Sequence, residues 1–193
     1  LVRKRRVWLP QLYYHVTSRG NRKEPLFHDR KDYEAYFHIL EEIHERTSFE
    51  LASYCLMTNH FHLQMRSEHE SIPKVMSLIN KRYATYYNSR YDFTGHVFEK
   101  RFYSEPIIDE KGLLDVSRYI HLNPVEAGLV KDPEKYPWSS YFFYKNPSSN
   151  PPSYLNPQPL LKKFSGSEHD QRKQYVAFVL EETPVSNDAL ERF

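Results

Sequence analysis

The chain has 193 residues, enough for one ordinary domain with an appendage and for a substantial hydrophobic core. Hydrophobic residues make up 39% and charged residues 27%, the balance of a globular protein, and a net charge of +2 is too small by itself to argue for a nucleic-acid partner. No apolar run approaches the roughly 20 residues that span a bilayer, and the one cysteine allows neither an internal disulfide nor a cysteine–histidine zinc site, so a cytoplasmic protein without a membrane partner is expected.

Arg3, Lys4, Arg5 and Arg6 form a basic N-terminal arm, with Arg19, Arg22 and Lys23 following shortly after. Such a run is either a solvated tail or a set of phosphate contacts, and it lacks the apolar core that follows the basic region of a signal peptide. Residues 12–18 are aromatic and β-branched and close on Arg19-Gly20-Asn21, which predicts a first strand and a turn. Asp29 caps a helix reaching about Thr47, in which Tyr33, Tyr36, Phe37, Leu40, Ile43 and His44 recur on a 3.6-residue period.

Residues 49–56 and 61–65 predict two strands joined tightly around Thr58-Asn59, with His60-Phe61-His62 opening the second. Side chains alternate across a strand, so His60 and His62 share one face and Phe61 takes the other. Two imidazoles so placed can grip one metal ion while Phe61 anchors the strand in the core, although a bare His-x-His needs partners elsewhere. Cys55, in the preceding apolar run, reads as an inert buried thiol.

Ser71 caps a second helix ending near Tyr91, with Lys74, Lys81, Arg82 and Arg90 outside its apolar stripe. Residues 95–100 read as a loop and 101–108 as a fourth strand. The order β-α-β-β-α-β predicts an α+β, ferredoxin-like antiparallel sheet with helices on one face.

Asp109 begins a third helix running to about Leu122, with Pro124 marking its end. Tyr119 and Asn123 lie one turn apart on it, so a phenol and an amide share a face. Residues 136–141 start a short helical piece. Residues 146–159 carry five prolines among serines and asparagines, a linker composition, and 160–164 and 167–182 predict two small helices, the second with a capping box at Ser167 and Asp170. The chain thus divides into a domain at 1–145, a linker at 146–159 and a helical extension at 160–193.

Residues 57–63, Met-Thr-Asn-His-Phe-His-Leu, and 118–130, Arg-Tyr-Ile-His-Leu-Asn-Pro-Val-Glu-Ala-Gly-Leu-Val, closely resemble the REP-associated tyrosine transposases. These are single-tyrosine, transposase-like members of the HUH endonuclease superfamily. Further blocks at 14–21, 95–102 and 136–141 extend the resemblance in order over roughly residues 10–145. Thr58 departs from it, standing where the family usually has proline.

The resemblance implies a metal-dependent endonuclease and strand transferase acting on single-stranded DNA beside a hairpin, through a 5′-phosphotyrosine. It implies that His60, His62 and Asn123 are ligands of a divalent ion, that Tyr119 is the nucleophile, and that the protein is a monomer or homodimer. An N/O donor set of that kind suits Mg²⁺ or Mn²⁺, though imidazole also accepts zinc or nickel. For DNA contacts, the arm Arg3–Arg6 with Arg19, Asn21, Arg22, Arg82, Lys100 and Arg101 are the candidates. His15, His96 and His121 receive no role. The alternatives are a hydrolytic metal-dependent nuclease in which Tyr119 only packs, and a non-catalytic hairpin-binding protein.

Overall fold

The computed structural model describes residues 8–181, so the basic arm Arg3, Lys4, Arg5 and Arg6 and residues 182–193 lie outside the described residues. The elements run β1 (Tyr14–Arg19), α1 (Arg30–Thr47), β2 (Glu50–Leu56), β3 (His60–Arg66), α2 (Ile72–Tyr91), β4 (Tyr103–Pro106), α3 (Glu110–Glu126), α4 (Tyr141–Lys145), α5 (Gln158–Leu161) and α6 (Glu168–Leu180). The first six give the predicted β-α-β-β-α-β order. They form one antiparallel sheet of strand order β2-β3-β1-β4, the ferredoxin-like arrangement.

Alternation along β3 divides the two sides of the sheet. Phe61, Leu63 and Met65, with Tyr14 and Val16 of β1, enter the main core beneath α1 and α2. The Tyr36 ring from α1 meets Phe61 at 5.0 Å between centroids. Asp29 and Ser71 cap these helices as expected, accepting from the backbone N–H groups of Lys31 and Lys74. His60, His62 and Gln64 take the opposite face, which α3 crosses. Gln64 donates to the Leu113 carbonyl at 2.9 Å and accepts from Ser53 at 2.8 Å, and Ile120 packs in a buried cluster with Cys55.

Several boundaries differ from the sequence reading: the short helix expected from residue 136 is α4 at Tyr141–Lys145 and that expected at 160–164 is α5 at Gln158–Leu161, and two other differences bear on the site. Helix α3 does not stop before Pro124 but continues through it to Glu126. Proline removes only its own N–H from the final turn, and the carbonyls beyond are capped: Ala127 N–H bonds Asn123 O and Leu129 N–H bonds Pro124 O, with Gly128 in the left-handed region at φ 71°. Strand β4 spans four residues instead of the eight from 101 to 108, which leaves Lys100 and Arg101 in the loop before it.

The proline-rich stretch lies along the outer edge of β2. Leu51 N–H bonds Tyr154 O at 2.7 Å, Asn156 N–H bonds Leu51 O at 2.8 Å, and Tyr154 and Leu155 are buried in the main core. Of the helical extension, Leu160, Leu161, Tyr175 and Val179 share a second buried cluster with Tyr141 and Tyr144, and the capping box at Ser167 and Asp170 is formed. Among the described residues no helix is long and apolar enough to cross a membrane.

Gly20 sits where β1 enters its turn, and its N–H bonds Asn59 O at 2.8 Å. A Cβ there would fall 2.2 Å from the Glu24 carbonyl oxygen, a backbone atom that cannot step aside. Gly20→Ala should therefore destabilise the fold by about 1–3 kcal/mol, read as an earlier urea midpoint. An unchanged midpoint would contradict this packing.

Candidate active site

The four residues singled out by motif come from β3 and α3. His60 and His62 project from the face that α3 covers, and one turn of α3 presents Tyr119 and Asn123 to them. The His60 and His62 rings lie 5.1 Å apart, and the Tyr119 ring stands edge-on to His62 at 5.3 Å. Asn123 is close enough to both His60 and Tyr119 to bear on their protonation. Two distant stretches of sequence are thus brought into one cluster.

The tautomer of His60 follows from its neighbour. Asn59 donates its amide N–H to the Lys23 carbonyl at 3.0 Å, so its oxygen is the atom facing His60 Nδ1 at 2.7 Å. An amide oxygen only accepts, so Nδ1 carries the proton and Nε2 keeps its lone pair. His62 is buried, and its Nδ1 lies 3.0 Å from Nε2 of His15, a residue to which the sequence pattern gave no role. Strand alternation puts His15 on the face of β1 that carries Arg19, but its contact with His62 depends on the register of β1 against β3.

Electrostatics follow from burial. Burial, with Arg19 adding to it, brings His60 down to about 4, and Asn123 pulls the other way. Burial also takes His62 well below its ordinary range, helped by His15, His60 and Arg19. Both imidazoles are therefore neutral near pH 7, the form in which histidine binds metal. The Tyr119 phenol is raised above its ordinary value, by burial first and Glu126 second, against the lowering effects of Asn123 and Arg19.

Among the described residues no three His, Cys, Asp or Glu side chains converge on a possible metal position. A site here would take its third protein donor from the amide of Asn123. Two neutral imidazoles and an amide oxygen fit a divalent ion and leave it without a protein carboxylate.

The histidines open onto a cleft of about 680 Å³, solvent included, lined also by Thr17, Ser18, Arg19, Lys23, Glu99, Lys100, Arg101 and Tyr103. Tyr119 and Asn123 adjoin it through His60 and His62. Three sequence candidates for DNA contact, Arg19, Lys100 and Arg101, are gathered here, and Lys23 joins them. Asn21 and Arg22 lie in the turn after β1, where Arg22 is exposed in the left-handed region at φ 55°. Arg82 is elsewhere: it sits on α2, on the far side of the sheet, in an ion pair with Glu42 at 2.9 Å. His96 is exposed on the loop before β4. His121 points away from the cleft and bridges Ser140 Oγ and Tyr175 OH, each at 2.8 Å.

The sequence matches the family described as "Transposase IS200 like" over residues 9–123, a span that ends on Asn123. The fold is similar to the structure of a REP-associated tyrosine transposase bound to a REP hairpin, at a TM-score of 0.65 and 19% identity, covering 81% of this chain and 92% of that one. A candidate transposase from Deinococcus radiodurans R1 aligns more loosely, at a TM-score of 0.44 and 17% identity over 62% of this chain and 95% of that one. No curated protein matches the chain.

The buried histidines make stability depend on pH. Burial lowers His15 and His60 to about 4 and His121 to about 3 from an ordinary 6.5, and His62 moves the same way. The unfolded chain takes up these protons near 6.5, whereas the folded chain takes them up only at lower pH, near 4 for His15 and His60 and near 3 for His121. Stability is thus intact above 6.5 and falls as pH is lowered toward 4. The melting temperature should drop between about pH 7.5 and pH 5; a flat profile there would contradict neutral burial.

Proposed function

This chain belongs to the IS200-like transposase family, and from that premise we propose that it cleaves and transfers single-stranded DNA next to a hairpin through a covalent bond to Tyr119. The observation that carries the reading is the meeting of the Tyr119–Asn123 face of α3 with His60 and His62 of β3. A packing tyrosine has no need of two neutral imidazoles and an amide around its ring.

His60, His62 and Asn123 would hold a divalent ion such as Mg²⁺ or Mn²⁺. When bound, the ion supplies polarisation of a non-bridging oxygen of the scissile phosphate. Tyr119 supplies the nucleophile. Its Oη loses a proton and bonds the phosphorus as the phosphorus–O3′ bond breaks, leaving a 5′-phosphotyrosine and a 3′-hydroxyl that gains a proton. Asn123 and Arg19 both favour the phenolate, partly offsetting the burial that opposes it. The covalent link conserves the phosphodiester, so a 3′-hydroxyl from another strand can displace Tyr119 without a nucleotide cofactor.

Arg19, Lys23, Lys100 and Arg101 line the cleft as phosphate partners, with Asn21 and Arg22 extending the surface from the turn after β1. A neighbour of the same fold is bound to a REP hairpin, and a hairpin with a single-stranded flank is the substrate proposed here.

The test is incubation with hairpin-bearing single-stranded DNA and Mn²⁺, followed by denaturing electrophoresis. Wild type should yield a protein–DNA adduct. Tyr119→Phe should lower adduct formation by at least about a thousandfold, and His60→Ala should lower it strongly while the fold persists. An adduct that survives in Tyr119→Phe would place the nucleophile elsewhere. Equal cleavage by both proteins without an adduct would mean hydrolysis, and hairpin binding with neither would mean a binding protein.

A further inference from the structure

We infer that His15 is a positioning residue that fixes which nitrogen of His62 carries the proton, and so keeps a lone pair on Nε2. The inference rests on the reading of His60 and His62 as metal ligands and adds a residue which that reading does not contain. His15 lies on β1, directly opposite Gln64 and diagonal to His62 across the β1–β3 pair. Its Nε2 is 3.0 Å from Nδ1 of His62, and the two rings meet edge to edge, with centroids 5.3 Å apart and 22° between their planes. The side chains are 3% and 1% exposed, so water does not compete for this bond.

Two neutral imidazoles can share one hydrogen bond in only two ways. If His15 donates, His62 accepts at Nδ1 and must carry its own proton on Nε2, which removes Nε2 as a ligand atom. If His62 donates from Nδ1, its Nε2 keeps a lone pair. Only the second arrangement prepares His62 to hold a cation beside His60. Asn59 imposes the same tautomer on His60, by an oxygen that can only accept. Both histidines would then be gripped at Nδ1 and would present Nε2. The His15 ring also meets the Tyr119 ring edge-on at 5.9 Å, so one side chain supports both a ligand and the tyrosine.

A histidine that only filled space here would be replaced without loss by another ring. A hydrogen-bond partner that orients a ligand would not, and losing such a partner weakens metal affinity by about 10–100-fold. The experiment is Mn²⁺ titration calorimetry on wild type, His15→Phe and His15→Gln, each checked for folding by thermal melting. His15→Phe should bind Mn²⁺ about 10–100-fold more weakly than wild type. His15→Gln, whose amide oxygen reaches the place of Nε2, should keep most of the affinity.

Wild-type affinity in folded His15→Phe, or an equal loss in both variants, would overturn the inference. Nitrogen-15 NMR of the histidine-labelled, metal-free wild type reads the tautomer without a substitution. A proton on Nδ1 of His62 is expected, and a proton on Nε2 would overturn the inference even if neither variant folds. Wild type that binds no Mn²⁺ would remove the metal reading itself and this inference with it, an outcome distinct from loss or retention in the variants.

Discussion

Helix α3 has one position on the sheet because buried polar groups fasten it on two sides. Toward the sheet, Gln64 donates to the Leu113 carbonyl in its first turn. On its other side, Arg118 donates to the carbonyls of Val179 and Glu181, and His121 is held between Ser140 and Tyr175. The Gln64, Arg118, His121, Ser140 and Tyr175 side chains are buried, and leaving one unpaired would cost about 1–3 kcal/mol. Sliding or rotating α3 would break several at once. Tyr119 and Asn123 inherit their place over the histidines from contacts made on the opposite side of their own helix.

The C-terminal helices are part of that fastening. Tyr175 of α6 reaches His121, and the chain just beyond α6 meets Arg118. Ser140 accepts from the Tyr54 backbone as well as contacting His121, so β2, α3 and the segment leading into α4 meet at one hydroxyl. A stretch that composition separates from the rest therefore bears on the cluster at a distance.

Strand β3 serves core and cleft together. Phe61 is sealed among aromatic rings on one side while His60 and His62 face α3 on the other, a consequence of the two-residue period of an extended chain. The imidazoles are neutral, and the positive charge of the cleft comes instead from Arg19, Lys23, Lys100 and Arg101 around it. Positive charge and imidazole lone pairs are thus supplied by different side chains. Arg82 is basic and exposed, yet α2 carries it to the far side of the sheet and Glu42 neutralises it.

Elements that depend on neighbours in sequence were legible in the chain itself: the caps at Asp29, Ser71, Asp109 and Ser167, the order of strands and helices, the shared face of His60 and His62, and the Tyr119–Asn123 spacing. Helical and extended periods, and the side chains that cap helices, act over a few residues, so the sequence states them directly. The ends of α3 and β4 were not legible, because Pro124 is accommodated by hydrogen bonds from residues beyond it and β4 extends only where β1 offers a partner. The contact of His15 with His62, the grip of Asn59 on His60, and the sorting of basic residues to one side of the sheet or the other were decided only by the tertiary structure. Each is a distance between residues far apart in the chain, set by strand register and by the helix face that is buried, and no local pattern encodes it.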